Sequence, residues 1–170
     1  MMELKELVIK TLDIFEVKSE DALSEKIFDA VKQNNTEKFA QFRELVGDLS
    51  IDWLQMIYQY YLAERKEKMQ DYTPKSLALF MGKLIGGADV ITDLCAGSGA
   101  LTIQKWCMNN EQKFELYEFD ENVIPFLLFN MAVRNIKCIV YHSDVLKQEI
   151  YHVYRIDKGK EFGTFTEVTK

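Results

Sequence analysis

Residues with the capacity for chemistry are concentrated in the stretch from Asp93 to Gly99, which contains a carboxylate and two glycines. An apolar run at 90–92 precedes this stretch, and a helical pattern at 100–109 follows it. This order predicts a tight turn between the end of a strand and the beginning of a helix. Backbone N–H groups and the helix dipole point into such a junction, so it suits a small ligand with a carboxylate or a phosphate. Gly97 and Gly99 would let the backbone bend and approach the ligand without a Cβ in the way.

Two further carboxylates are predicted at strand ends. Glu118 ends the second predicted strand, and Asp144 follows the third. Glu118 comes 21 residues after Gly97, the spacing at which an acidic residue holds a ribose by accepting from both sugar hydroxyls. Ligands of doubly wound sheets bind beyond the carboxyl ends of the strands. We therefore expect Asp93, Glu118 and Asp144 to line one nucleoside pocket.

The elements that would position these residues alternate between strand and helix after residue 74. We predict strands at 90–95, 114–119 and 137–141, and helices at 75–85, 100–109 and 121–134. Alternation of this kind indicates an α/β fold, in which parallel strands are joined by right-handed helical crossovers. The tail differs, because residues 151–165 have the pattern of a β-hairpin with a four-residue connection at 157–160.

The first 70 residues predict helices throughout. Apolar side chains recur there at helical spacing over four segments, and Asp48 or Ser50 is expected to cap the fourth helix. We interpret these helices as a small bundle. The chain is therefore expected to consist of a helical segment at 1–70, a ligand-binding core at 71–150 and a C-terminal hairpin and tail at 151–170.

The form of the glycine turn narrows the choice of ligand. The dinucleotide fingerprint requires glycine or alanine where this sequence has Thr102, and a phosphate-binding P-loop requires a lysine that is missing here. The turn instead resembles motif I of S-adenosylmethionine-dependent methyltransferases. Together with Tyr72-Thr73-Pro74, it resembles the adenine-specific N6 DNA methyltransferases, and most closely the modification subunit of type I restriction–modification systems. The resemblance covers about residues 70–146.

This resemblance implies a Rossmann-like methyltransferase fold, of which the chain would contain the N-terminal half of the sheet, and S-adenosylmethionine as the cofactor. It also implies a role for each residue that matches a family motif. Tyr72, Thr73 and Pro74 would frame the methionine end, Asp93, Ala96, Gly97 and Gly99 would form the cofactor turn, Glu118 would bind the ribose, Phe119 would lie against the adenine ring, and Asp144 would accept from the adenine amino group.

The catalytic signature of that family, Asn/Asp-Pro-Pro-Tyr/Phe, is missing from the sequence. The chain has two prolines, Pro74 and Pro125, and they are not adjacent. In the family the signature follows the next strand and holds the target adenine, which is flipped out of the duplex. We therefore identify no catalytic residue and expect a truncated or split enzyme that binds the cofactor without methylating adenine alone. The strand at 90–95 would keep an open edge, which the C-terminal hairpin, a second copy of the chain in a homodimer or a split-subunit partner is expected to cover.

The composition limits which partners and which cellular compartment we expect. A net charge of −6 is unlike that of a domain that grips nucleic acid unaided, so DNA would be contacted through a partner or through the missing C-terminal half. No stretch has the pattern of a signal peptide or a membrane span. The three cysteines and two histidines lack the spacing of a metal site. We expect a cytoplasmic protein with reduced thiols and no bound metal.

Two alternatives from other functional classes stay open. The first is a non-catalytic interaction or binding protein that retains the methyltransferase fold. The second is a methyltransferase that acts on RNA or on a small molecule and needs no pair of prolines. Tyr72-Thr73-Pro74 favours the DNA enzyme over the second alternative.

Overall fold

The computed structural model describes residues 3–59 and 73–168. The α-helices in these ranges are α1 (Leu4–Phe15), α2 (Leu23–Lys32), α3 (Thr36–Val46), α4 (Trp53–Ile57), α5 (Lys75–Leu84), α6 (Ala100–Met108) and α7 (Ile124–Val133). The strands are β1 (Val90–Asp93), β2 (Lys113–Glu118), β3 (Cys138–Asp144), β4 (Glu149–Asp157) and β5 (Thr164–Glu167). Every helix and strand predicted after residue 74 is present, with ends that differ by up to three residues.

The start of α4 differs from the prediction. Asp52 caps this helix, because its Oδ1 accepts from Gln55 N at 2.9 Å. The predicted caps, Asp48 and Ser50, are wrong because the chain forms a turn and a bend after residue 48, and the helix begins only at Trp53. The later part of the predicted fourth helix lies outside the described residues.

The five strands form one sheet in the order β1-β2-β3-β4-β5. β1, β2 and β3 run parallel, which confirms the prediction for the central part of the chain, whereas β4 pairs antiparallel with β3 and with β5. Asp93 pairs with Leu116, and Glu118 pairs with His142. The carboxyl ends of β1, β2 and β3 therefore lie at one end of the sheet, and α6 and α7 connect these strands.

The C-terminal hairpin is confirmed, but its connection is longer than predicted. Residues 158–163 separate β4 from β5 instead of the four predicted at 157–160. These residues are attached to the end of α7 and so do not close a tight turn. Gly163 N donates to Ala132 O at 2.8 Å, and Asn135 exchanges two hydrogen bonds with Gly159.

The hairpin leaves the open edge of β1 uncovered. β4 pairs with β3, on the opposite side of the sheet from β1. The prediction that the hairpin covers the β1 edge is therefore wrong. The β3–β4 turn favours the observed pairing, since Asp144 Oδ1 accepts from Leu146 N and from Lys147 N, both at 3.0 Å. Strands joined by so short a turn become antiparallel neighbours. Within residues 3–59 and 73–168, β2 is the one strand that pairs with β1.

Helix α7 is the centre of the core. All ten of its residues are buried, because one side packs on the inner face of the sheet and the other on the N-terminal helices. The large buried side chains of that inner face are Phe114, Leu116, Val140, Tyr154, Ile156 and Phe165. The Phe129 ring of α7 lies 5.2–5.4 Å, between centroids, from three rings of α1 and α3, those of Phe15, Phe39 and Phe42. The N-terminal helices and the sheet thus share one core.

The opposite, outer face of the sheet is more open. Side chains alternate along a strand, so this face presents Glu115, Tyr117, Ile139, Tyr141 and Arg155. The rings of Tyr117 and Tyr141 stack with centroids 4.5 Å apart. The helices that pack on the strands, α2 and α7, do so on the inner face. A cavity of about 270 Å³ opens on the outer face at the beginnings of β1, β2 and β3.

The part of the chain that the structure describes contains no helix that is both long and apolar enough to cross a membrane. It contains no group of three or more His, Cys, Asp or Glu side chains placed to hold a metal ion. The cysteines form no disulfide there: Cys95 and Cys107 are exposed, and Cys138 is buried.

Candidate functional site

The predicted strand–turn–helix junction is confirmed. β1 ends at Asp93, α6 begins at Ala100, and the turn glycines have positive φ angles, +56° at Gly97 and +100° at Gly99. A Cβ at Gly99 would lie 2.7 Å from Met131 Cε, the movable end of a flexible side chain, so the φ angle of +100° is the main reason for a glycine here. A Cβ at Gly97 would meet nothing within 4 Å. The open side of the turn at Gly97 is therefore where a ligand can approach the backbone.

Glu118 is attached directly to this turn. Its Oε2 accepts from Gly97 N at 2.8 Å, and its Oε1 accepts from Phe119 N at 2.9 Å and from Asp120 N at 2.8 Å. Burial raises the pKa of the carboxyl, and the three backbone N–H groups oppose that shift. The separation of 21 residues thus brings Glu118 to the turn and fixes its carboxylate at the end of β2.

Asp93, Ala96 and Phe119 surround the same junction. Asp93 Oδ1 accepts from Cys95 N at 3.2 Å, and its Oδ2 has no donor among the described residues. Burial raises the pKa of this carboxyl. Ala96 is buried, and its N–H donates to Tyr117 O at 2.9 Å, which ties the turn to β2. The ring of Phe119, just after the end of β2, is 58% exposed and can contact a flat ligand.

Asp144 lies at the same end of the sheet, but its carboxylate belongs to a different turn. Besides its two backbone hydrogen bonds in the β3–β4 turn, its Oδ2 lies 3.3 Å from Lys147 Nζ. The backbone N–H and the ammonium of Lys147 hold the pKa of Asp144 below its usual range. No hydrogen bond or ion pair connects it with Asp93 or Glu118 in the described ranges. A contact between Asp144 and an adenine amino group stays a prediction.

Thr73 and Pro74 are brought to the beginning of α6. They line a cavity of about 360 Å³ together with Asp52 and Ala100. Ala100 directly follows Gly99, so this segment lies next to the glycine turn although it is distant in sequence. Tyr72, the third residue of the predicted group, lies outside the described residues.

A buried polar network beneath the turn was missed by the sequence analysis. Asp52 Oδ2 accepts from Ser98 Oγ at 2.7 Å, and Asp52 Oδ1 accepts from Asn130 Nδ2 at 2.9 Å. Arg134 Nη1 donates to Asn130 Oδ1 at 2.7 Å. A sequence signal for this network exists: Asn130 is the one polar residue of α7, and Arg134 follows four positions later on the same face of the helix.

The geometry suits a ligand with several distinct groups. The N-terminus of α6 suits an anion, and Asp93 Oδ2 suits a cation. Glu118 Oε2 suits a hydroxyl group, because it carries one donor, Gly97 N, and can accept a second, whereas Oε1 already accepts from two backbone N–H groups. Phe119 suits a flat ring. An amino-acid end joined to a nucleoside has all of these features.

Comparison with known proteins adds one finding at the level of the family. A family model described as N-6 DNA methylase matches residues 49–161. The matched range includes the glycine turn, Glu118, Asp144 and Asp52. The comparison with curated proteins gave no match, and neither did the comparison with solved structures.

Proposed function

Because the chain belongs to the N-6 DNA methylase family, we propose that it binds S-adenosylmethionine at the turn between β1 and α6. In this proposal it forms the cofactor-binding part of an adenine-specific N6 DNA methyltransferase of a restriction–modification system. The family match supports a function related to DNA N6 methylation, and members of this family generally depend on S-adenosylmethionine. The bond of Glu118 Oε2 with Gly97 N at 2.8 Å carries the proposal. This hydrogen bond places a carboxylate that suits a ribose beside a turn that suits an amino-acid end, so both lie in one pocket.

The chain would hold the cofactor by complementary charge and shape. The N-terminus of α6 receives the methionine carboxylate, for which the bare Gly97 leaves room, and Asp93 Oδ2 accepts from the ammonium. Burial already raises the pKa of Asp93, so a cation beside it stabilises the ionised form. Glu118 Oε2 accepts from a ribose hydroxyl, and the exposed Phe119 ring covers one face of the adenine. Bound S-adenosylmethionine supplies an electrophilic methyl group on its sulfonium.

Four further residues would complete the pocket. Thr73 and Pro74 frame the methionine end, since both line the cavity beside Ala100, and Tyr72 is proposed for the same role by its sequence position. Asp144 accepts from the adenine amino group, and its lowered pKa keeps the carboxylate in the ionised form, which is the stronger acceptor.

We also propose that the chain does not transfer the methyl group to adenine by itself. Its 170 residues contain two non-adjacent prolines and so lack the signature that would hold a flipped adenine. Its net charge of −6 argues against a strong contact with the DNA backbone. In this proposal another polypeptide segment supplies both the target-base contacts and the DNA contacts.

Calorimetric titration and a methyl-transfer assay test these two proposals separately. The purified chain is titrated with S-adenosylmethionine and then incubated with DNA and tritiated cofactor. We expect binding at one site and no label on DNA. Label on DNA from the chain alone would contradict the proposed incompleteness, and label on RNA or on a small molecule would favour the corresponding alternative. A folded chain that binds no cofactor would favour a non-catalytic interaction protein.

The open edge of β1 is the proposed place of contact with the partner. Val90 at this edge is 42% exposed, and an unpaired strand edge offers N–H and C=O groups to another strand. The hairpin is excluded because it pairs with β3. We propose that a strand of a separate subunit or of a second copy of this chain pairs with β1.

Light scattering after size-exclusion chromatography distinguishes the two occupants of this edge. A homodimer is expected to lose association in Val90→Lys, because a lysine at the contact would have to be desolvated. Thr166→Lys on β5, the edge strand at the other side of the sheet, is the matched control and should leave the mass unchanged. A monomeric wild-type chain would rule out the second copy and leave the separate subunit. An equal loss of association in both variants would contradict a contact at β1.

A further inference from the structure

Ser98, between the two turn glycines, is held from below by buried side chains. Its hydroxyl donates to Asp52 Oδ2 at 2.7 Å, and its carbonyl accepts from Asn130 Nδ2 at 2.9 Å. Asp52, Ser98 and Asn130 are all buried. Glycine has wide conformational freedom, so a turn with two glycines at positive φ has little preference of its own for one shape. The two bonds to Ser98 supply that preference.

Arg134 holds the segment that carries Asp52. Its Nε donates to Leu49 O and its Nη2 to Ile51 O, both at 2.8 Å, while its Nη1 donates to Asn130 Oδ1 at 2.7 Å. Burial lowers the pKa of Arg134 to about 10, so it stays charged at neutral pH. This charge opposes the rise that burial causes in the pKa of Asp52. The segment at 49–52 is therefore fixed to α7 on one side and to the turn on the other.

We infer that Asp52 is a positioning residue for the cofactor turn: through Ser98 it holds the backbone of Gly97–Gly99 in the shape that receives the ligand. The identity of the ligand in this inference rests on the proposed function. The hold of Asp52 on the turn rests on the hydrogen-bond network alone. Asp52 also caps α4. Asp52 thus links the beginning of α4 with the turn.

A double-mutant cycle of Asp52→Ala and Ser98→Ala tests this inference. Both variants lose the hydrogen bond between Asp52 and Ser98, so each is expected to raise the dissociation constant of S-adenosylmethionine about tenfold. The double variant should bind no more weakly than Asp52→Ala, because Asp52→Ala has already removed the contact that Ser98→Ala would break. Independent effects that multiply in the double variant would overturn the inference.

Asn35→Ala is the matched control. Asn35 Oδ1 caps α3 by accepting from Lys38 N at 3.1 Å, just as Asp52 caps α4, but Asn35 has no contact with the turn. This variant should lose thermal stability while its affinity for the cofactor changes by less than about twofold. If Asn35→Ala lost as much affinity for the cofactor as Asp52→Ala, helix capping alone would account for the effect.

Amide hydrogen exchange separates this inference from the proposed function. In the cofactor-free chain, the amides of residues 97–99 should exchange at least about tenfold faster in Ser98→Ala than in the wild type. This readout needs no ligand, so it applies even if the wild type fails to bind S-adenosylmethionine and the proposed function is wrong. It also applies if Asp52→Ala does not fold, because Ser98→Ala removes only a hydroxyl. Unchanged exchange at residues 97–99 would overturn the inference.

Discussion

The Glu118→Ala variant is expected to bind S-adenosylmethionine at least about a hundredfold more weakly than the wild-type chain. The Glu118 carboxylate has two tasks. Its Oε2 would accept from a ribose hydroxyl, and it already accepts from Gly97 N at 2.8 Å. Hydrogen bonds to a charged group contribute about 1.5–3 kcal/mol each, so the loss of two of them exceeds the ~2.7 kcal/mol that corresponds to a hundredfold change in affinity.

Titration calorimetry of folded variants measures this effect, and the chain offers a control on the same strand. Glu115 lies on the outer face of β2, opposite the site, so Glu115→Ala should change the affinity by less than about twofold. Glu118→Gln adds a second comparison. Its amide group keeps the shape, but one of its ends becomes a donor facing the N–H groups of Gly97, Phe119 and Asp120. Cofactor binding that survives in Glu118→Ala at wild-type strength would contradict the proposed site.

The part of the site that the sequence predicts correctly depends on local spacing. A strand, two glycines and a helix start fix the turn, and the acidic residue at the end of the next parallel strand must lie beside it. The bond between Glu118 and Gly97 follows from that topology. Asp144 satisfies the same rule, yet its carboxylate is bound within the β3–β4 turn. Position at a strand end thus predicts where a carboxylate lies, but the local turn determines which donors it meets.

The buried network could not be predicted from spacing, because its members are far apart in the chain. Asp52 is separated from Ser98 by 46 residues and from Asn130 by 78. Periodicity identifies which face of a helix is buried, but it does not identify which polar groups meet there. The usable signal is a polar pair: Asn130 lies within the otherwise apolar helix α7, and Arg134 directly follows that helix. Buried polar groups require partners.

The pairing of the hairpin was open for a similar reason. Two strand edges, those of β1 and β3, were available to β4 from the sequence alone. The observed pairing with β3 follows from chain proximity, since a short turn capped by Asp144 joins the two strands. Loop closure costs less for near neighbours than for distant ones, and a segment returning to β1 would have had to cross the sheet.

The composition of α7 predicts where the N-terminal helices pack. A helix that is apolar on all sides is buried on all sides, and a sheet covers only one of them. The second cover had to come from elsewhere in the chain, and α1, α2 and α3 provide it. A bundle packed only on itself would have left half of α7 in water. These helices instead complete the core of the sheet.

Phe129→Ala is therefore expected to destabilise the whole described fold, by about 3–5 kcal/mol. Phe129 is fully buried, and its ring contacts those of Phe15, Phe39 and Phe42. Its removal leaves a cavity between the N-terminal helices and α7. A loss of this size is a large fraction of the stability of a typical domain, ~5–15 kcal/mol. Urea unfolding monitored by circular dichroism measures it, provided that the transition is two-state.

Phe80→Ala is the matched control, since Phe80 is 60% exposed on α5 and its truncation should change the free energy of unfolding by less than about 0.5 kcal/mol. The shape of the transition carries the stronger test. If the N-terminal helices and the sheet share one core, Phe129→Ala moves a single transition to lower urea, and tryptophan fluorescence from Trp53 and Trp106 follows the same curve. Two transitions, of which only one moves, would show that the helices and the sheet fold as independent units. In that case, Asp52 would connect the turn to a part of the protein that can unfold separately.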